Sequence, residues 1–392
     1  MAERGFIPFA RPCLSEEEEQ AVLHVMRSGW LTTGPESEAF EREFADFLGV
    51  KHALAVSSAT AGLHLGLDAL GAREGSFVVT TPYTFAATAE VARHVGAELI
   101  FCDIDEGSMC ISVSELERVL DKYANRVAAI VPVHFAGRGA DMEAIVNLAA
   151  SCGASVLEDA AHAFPVRYGE KFLGAAGDAG VFSFYATKTI TTGEGGMLVT
   201  DRDDVAERVS LMRLHGIDRR VWDRYTSSPG AWFYQVIEAG YKYNMPDLLA
   251  AIGRVQLKKA VLFKKKRERI ARIYREALSD RDYFILPEDA DEHAWHLFVV
   301  GIDENRLSIG RDEFVRLMAE KGVGCSVHFI PLFLMPYYRN RYNLSPDEFP
   351  VSYRVYLRSF SLPIYPSLSD EEIYRVISSL KEIGDRFYRK IL

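Results

Sequence analysis

Short apolar runs alternate with helical patterns from residue 50 to residue 200, and this alternation predicts an α/β chain. The sheet is expected to be mostly parallel and covered by helices in a large domain. A second observation gives the domain plan. A helical pattern opens at Asn244-Met245-Pro246 and runs to about Leu278, long enough at about 1.5 Å per residue to link two domains. The third is the mixture of strand and helix patterns after it, which reads as a smaller C-terminal α/β domain. The predicted division is a large domain over residues 1–255, including an N-terminal segment, and a small domain over residues 256–392. The linking helix begins near residue 246.

In chain order, Ser15-Glu16-Glu17-Glu18 is a capping-box pattern in which Ser15 and Glu18 satisfy each other's orphan amides. Val22, Leu23 and Met26 continue it with helical spacing as far as Ser28-Gly29. Strands are predicted over residues 53–56, 77–80, 98–102, 128–134, 155–158, 180–184 and 197–200, with helices over 60–70, 85–95, 113–123 and 142–151. Pro246 is placed in the first turn of the linking helix, where its missing N–H costs little. Leu249, Ile252, Val255 and Leu257 give that helix an apolar face. In the small domain, strands are predicted over 295–300 and 325–329 and helices over 311–320 and 370–388.

Composition excludes several function classes. A formal net charge of −10 argues against general nucleic-acid binding. The basic run from Lys258-Lys259 to Lys264-Lys265-Lys266-Arg267 lies in a helical pattern rich in charges and reads as a solvated face. Cys13, Cys102, Cys110, Cys152 and Cys325 are scattered and form no Cys-x-x-Cys pair, which fits a reducing cytosol and neither a disulfide framework nor a zinc site. The start, Met1-Ala2-Glu3-Arg4-Gly5, opens no apolar signal segment, and no run of about 20 apolar residues appears. A soluble, cytoplasmic protein is expected, with no metal, nucleic-acid or membrane partner.

The candidate chemistry collects just past strand ends, where ligands of parallel sheets gather. Asp159 follows the buried run Val156-Leu157-Glu158, and a buried carboxylate is costly unless a cation meets it. Lys188 closes the run Gly180-Val181-Phe182-Ser183-Phe184-Tyr185-Ala186-Thr187, a setting that suits an amine forming a Schiff base. Small residues from Ser57 to Gly62, including Ser58, Ala59 and Thr60, lead into a helix whose amides and dipole favour an anion. Ser183 is the natural second ligand for that anion. A ring-nitrogen carboxylate, an aldehyde-binding lysine and phosphate donors together fit pyridoxal 5'-phosphate (PLP). His162 faces the same pocket or packs over the ring's phenolic oxygen; taken alone it would be a structural histidine. Phe85, in Thr81-Pro82-Tyr83-Thr84-Phe85-Ala86-Ala87-Thr88, offers a face for the cationic ring, against core packing as the competing reading.

Four motifs make a resemblance specific. Glu158-Asp159-Ala160-Ala161-His162-Ala163, Phe182 through Lys188, Gly193-Glu194-Gly195-Gly196 and Gly240-Tyr241-Lys242-Tyr243-Asn244-Met245 resemble the DegT/DnrJ/EryC1/StrS family, in the same order along the chain. These are PLP-dependent nucleotide-sugar aminotransferases of the fold-type I (aspartate aminotransferase) class. The resemblance runs from about Ile7 to the C-terminus. It implies a homodimer with active sites at the subunit interface. Lys188 would hold the cofactor aldehyde, Asp159 the ring nitrogen and His162 the ring oxygen. Ser183, Ala59 and Thr60 would hold the phosphate and Phe85 would stack on the ring. Lys242 or Asn244 would reach the phosphate from the second subunit. Ala59 stands where many members have Gly, and Lys242 where many have Asn. Thr32-Thr33-Gly34 and His328, in Val327-His328-Phe329-Ile330-Pro331-Leu332, resemble segments that face the sugar, while Phe333 stands where many relatives carry His.

The activity this resemblance implies is a ping-pong transamination, with L-glutamate as amino donor and a nucleotide-linked 4-keto-6-deoxy sugar as acceptor. The product would serve a polysaccharide or a glycosylated metabolite. Two rivals share the fold. A PLP-dependent sugar dehydratase would carry His at the Schiff-base position, so Lys188 speaks against it. A non-catalytic regulatory relative is disfavoured by the retained Lys188, Asp159 and Ser183.

Overall fold

The computed structural model of the chain describes residues 5–218, 233–288 and 292–389. Its centre is a seven-stranded sheet. The strands are β1 (His52–Val56), β2 (Phe77–Thr80), β3 (Glu98–Phe101), β4 (Val127–Ile130), β5 (Ser155–Asp159), β8 (Ala179–Ser183) and β9 (Gly196–Thr200); a small hairpin, β6 (Arg167–Tyr168) and β7 (Lys171–Phe172), precedes β8. The order across the sheet is β1-β9-β8-β5-β4-β2-β3, and β9 alone runs against the rest. The fold is α/β with a mostly parallel sheet, as the alternation predicts. The run expected to extend over 128–134 is regular strand only to Ile130; Pro132 has no N–H to give, and pairing resumes as a single bridge between Val133 and Asp159.

Helices α1 (Glu16–Ser28), α2 (Pro35–Leu48), α3 (Ala59–Ala69), α4 (Ala86–His94), α5 (Val113–Tyr123), α6 (Met142–Cys152) and α7 (Asp203–Met212) surround the sheet. The small sheet has three strands: β10 (Phe284–Ile285), β11 (Phe298–Ile302) and β12 (Ser359–Leu362). The strand expected at 325–329 is instead a loop joined to β12 by one bridge, Ser326 to Ser361. Ladder bonding on the other edge of β12 is taken by β11.

The long helix Asp247–Leu278 belongs to both parts. Ala250, Leu257, Ala260 and Phe263 pack with Phe40 and Phe44 in the main core. Ile270, Ala271, Tyr274 and Leu278 pack with Phe298, Val300 and Phe360 beside the small sheet. Pro246 is its N-cap rather than a first-turn residue. The buried Asp247 side chain caps α2, whose own N-cap, Gly34, has no side chain to offer. Asp247 Oδ1 accepts from the amides of Gly34 and Ser37 at 2.7 and 3.0 Å and from the Ser37 hydroxyl at 2.8 Å. Glycine is required at position 34, since a Cβ there would lie 2.2 Å from Trp30 Nε1. Among the described residues no helix is long and apolar enough to cross a membrane.

The predicted capping box forms: the amide and hydroxyl of Ser15 both donate to Glu18 Oε2 at 2.8 Å. Glu18 is buried and also accepts from Gln256 Nε2 at 2.7 Å and Lys259 Nζ at 2.8 Å, which ties α1 to the long helix. Burial alone would raise this carboxyl, but the bonds from Lys259, Gln256 and Ser15 overcome it and hold the group at about 2. Because the folded value lies below the ordinary 4.5, its contribution is present above pH 4.5 and is lost as pH falls toward 2. Glu18→Gln is expected to lower stability by roughly 2 kcal/mol at pH 7, with the difference shrinking below pH 4.5. Urea melts across that range check it, and a pH-independent difference would contradict the assignment.

Candidate active site

The turn from β1 into α3 carries the predicted anion ligands. Ser58 is the N-cap, its hydroxyl accepting from the Ala61 amide at 3.1 Å. The amides of Ala59 and Thr60, first in the helix, have no acceptor one turn back and lie at the positive end of its dipole. Gly196 packs directly on this turn, and a Cβ there would sit 2.7 Å from the Ala59 nitrogen. Ser183, the last residue of β8, pairs with Gly196 across the ladder. Ser58, Ala59, Thr60 and Ser183 therefore meet at one rim of the sheet.

Asp159 ends β5 and is buried. Its Oδ2 accepts from the Thr88 hydroxyl at 2.8 Å and its Oδ1 from the Ala161 amide at 3.1 Å. Lys188 sits in the turn after β8, its amide bonded to the Tyr185 carbonyl at 2.9 Å. Loss of solvation pushes the Lys188 ammonium down from 10.5 to about 8, while the Asp159 charge pulls it back up. The two side chains share one electrostatic neighbourhood.

His162 is also buried, and its Nδ1 accepts from the Ala136 amide at 3.3 Å. An amide only donates, so the neutral ring carries its proton on Nε2. Burial, then the charges of Lys188 and His328, push the ring well below 6.5. It stacks on Phe329 at 5.9 Å and lies 4.4 Å from the His296 ring. His328 comes from the small-domain loop; burial and Lys188 push it to about 4. Its Nδ1 is 2.9 Å from Ser361 Oγ, and its carbonyl accepts from the Tyr83 hydroxyl at 2.8 Å. Phe85, the N-cap of α4, is 63% exposed and 6.0 Å from Phe329. Core packing does not explain Phe85, and its exposure leaves it free to meet a planar ligand.

A second strip lies beside the start of α3. Asn244 Nδ2 donates to Thr33 Oγ1 at 2.6 Å, and Thr33 donates to the Met245 carbonyl at 2.6 Å. Lys242 donates to the Asn244 side-chain oxygen. The Ser57 amide donates to the Tyr243 carbonyl at 2.6 Å, and Val56 bridges to Asn244. Thr32 gives its carbonyl to the Asp247 amide at 3.2 Å. Phe333, in contrast, is buried and stacked on Phe349 at 5.1 Å.

Sequence reasoning missed two members of the site. Thr88 stood inside a quoted motif without a role, although it lies one helical turn beyond Phe85. His296 carries no local signal; it is buried, and its Nδ1 has no hydrogen-bond partner. The donor set fits PLP on its own geometry. Asp159 retains accepting capacity, His162 carries a proton on Nε2, and the glycine at 196 leaves the Ala59 amide uncovered.

Comparison with known proteins places the chain in a family. The model of the DegT/DnrJ/EryC1/StrS aminotransferase family matches residues 12–381. The chain is 44% identical to the spore coat polysaccharide biosynthesis protein SpsC of Bacillus subtilis, over 96% of this chain and 97% of that one. Among solved structures, Helicobacter pylori PseC, an aminotransferase in pseudoaminic acid biosynthesis, superposes with a TM-score of 0.89 at 30% identity, covering 97% of this chain and 100% of PseC. The PMP form of the sugar aminotransferase Spr1654 from Streptococcus pneumoniae, described as putative, gives 0.90 at 26% identity, covering 97% and 99%.

The lowered Lys188 amine makes a kinetic prediction. Only the unprotonated amine attacks an aldehyde, so PLP attachment to the cofactor-free chain should quicken with pH and level off above about 8. Stopped-flow absorbance checks this. A rate still rising steeply at pH 10 would place the amine near its ordinary value.

Proposed function

The chain belongs to the DegT/DnrJ/EryC1/StrS aminotransferase family and is a PLP-dependent sugar aminotransferase; from that premise we propose a particular reaction. It moves an amino group from L-glutamate to the keto carbon of a nucleotide-linked 4-keto-6-deoxy sugar. The exchange is ping-pong, the donor leaving as its keto acid before the sugar binds. The product feeds a polysaccharide or glycosylated metabolite in the cytoplasm; the relative named for spore coat polysaccharide biosynthesis supports the former. The observation that carries the reading is Lys188, an amine near neutrality lying in the field of the Asp159 carboxylate.

PLP supplies an aldehyde and an electron-accepting ring when bound. The chain's residues do the rest. Lys188 holds the aldehyde between turnovers and, once displaced, carries a proton to and from the substrate carbon, a contribution of about 10²–10⁴-fold. Asp159 keeps a negative charge at the ring nitrogen, so the proton there stays in place. His162 donates from Nε2 to the ring oxygen. Ser58, Ser183 and the Ala59 and Thr60 amides hold the phosphate, which anchors the ring without taking part in the chemistry. Phe85 covers one face of the ring. Thr32, Thr33 and His328 line the approach of the sugar. Residues 1–255 act as the cofactor-binding part and residues 256–392 as the smaller part, joined to it by the long helix. Two copies form a homodimer, with Lys242 or Asn244 serving the partner's phosphate.

Lys188→Ala is expected to lose the pH-sensitive PLP absorbance and all turnover; transamination at the parent rate would overturn its role. Protein loaded with the aminated cofactor should regain PLP absorbance with 4-keto-6-deoxy sugar nucleotides from a panel, and recovery with 3-keto sugars alone would reassign the acceptor.

For the dimer, mixing inactive Lys188→Ala with an inactive Lys242/Asn244 double variant at limiting PLP should restore about a quarter of the activity. Half of randomly assorted dimers are mixed, and each mixed dimer has one intact site. No recovery despite subunit exchange, or a monomer by light scattering, would overturn the shared site.

A further inference from the structure

Three side chains that the reaction above leaves only partly explained form a chain of contacts. Thr84 Oγ1 is 2.9 Å from Thr88 Oγ1, and Thr88 Oγ1 is 2.8 Å from Asp159 Oδ2. All three residues are buried, so no water shares these contacts freely. The direction of the chain follows from proton counting. An ionised carboxylate only accepts, so the Thr88 proton points at Asp159. Thr88 then has no second proton to give, and Thr84 must donate to it. Both hydroxyls are therefore oriented toward the carboxylate. Such aligned donors polarise one another and favour the charged form of the group they reach.

Local structure brings the two hydroxyls together. Thr84 immediately precedes the N-cap Phe85, and Thr88 lies in the first turn of α4. Thr84 is outside the helix, and the extended N-cap Phe85 turns the chain so that the Thr84 hydroxyl meets that of Thr88 while Phe85 itself stays exposed. On the acceptor side Asp159 has little freedom. Its amide donates to Pro132 at 2.9 Å, its carbonyl accepts from His134 at 3.2 Å, and its Oδ1 accepts from Ala161.

We propose that Thr84 and Thr88 are positioning residues, a directed two-hydroxyl relay that aims Asp159 at the PLP ring nitrogen and holds the shared proton on that nitrogen. The proposal rests on the reading of Asp159 as the ring-nitrogen partner. Thr88→Val keeps the shape of the side chain and removes its proton. The carboxylate then loses a donor, and the shared proton moves toward it.

The test uses holoprotein reconstituted with PLP labelled with nitrogen-15 in the ring, read by NMR alongside steady-state kinetics. Thr88→Val should bind PLP, shift the ring-nitrogen resonance toward the unprotonated form, and lower kcat about tenfold with KM for the amino donor nearly unchanged. Thr88→Ser should restore both readouts, and Thr84→Val should move the resonance the same way by less. An unmoved resonance in Thr88→Val, or no rescue by Ser, overturns the relay. Should Thr88→Val not fold, an unmoved resonance in Thr84→Val overturns it equally. Asp159→Asn separates the two claims. If it leaves the resonance unmoved, Asp159 is not the ring-nitrogen partner; if it shifts the resonance and Thr88→Val does not, only the relay fails.

Discussion

A carboxylate buried at the end of a central strand is the constraint around which this molecule is arranged. Asp159 lies where β5 leaves the sheet, and its charge in a low-dielectric setting is tolerable only if donors and a cation surround it. The elements that converge there each supply part of that environment. The first turn of α4 brings a hydroxyl, the turn after β5 brings an amide, and the loop after β8 brings Lys188. The neighbouring histidines are kept neutral by burial, so they do not compete for the carboxylate with charges of their own.

The preceding residue shows how the strand separates two tasks. Glu158 and Asp159 are consecutive and so point to opposite faces of the sheet. Glu158 accepts from the amides of Gly174, Ala176 and Gly177, each at 2.7 Å, and meets His134 Nε2 at 2.8 Å. With every approach to it occupied, Glu158 fixes the segment after the hairpin and the loop that follows β4. One carboxylate is spent on structure and the next is left for chemistry, and only their parity along the strand decides which is which.

Much of this was legible in the sequence, for identifiable reasons. Residues 77–80, 113–123 and 311–320 are strand or helix where expected, because each carries its own periodicity. Asp159, His162, Ser183 and Lys188 were readable because strand ends put polar groups at a common rim. What was not legible is stabilised from far away. Helix α2 begins at a glycine with no cap of its own, and its cap, Asp247, lies more than two hundred residues downstream. The small sheet takes Ser359–Leu362, for which no strand was expected, and residues 325–329 form a loop bridged to it. Thr88 and His296 enter the site through tertiary packing alone, which local spacing does not encode.

The long helix has a mechanical meaning. A rod built into two cores at once is a brace with no hinge along its length. Its first turn stays with the main core, where Asp247 grips the start of α2. That grip is also where Thr33 meets Asn244 and Met245. The loop bearing His328 rides on the small sheet through Ser326 and Ser361. The strip that holds Thr33 and the loop that holds His328 are thus kept in a fixed relation by one continuous helix seated at both ends.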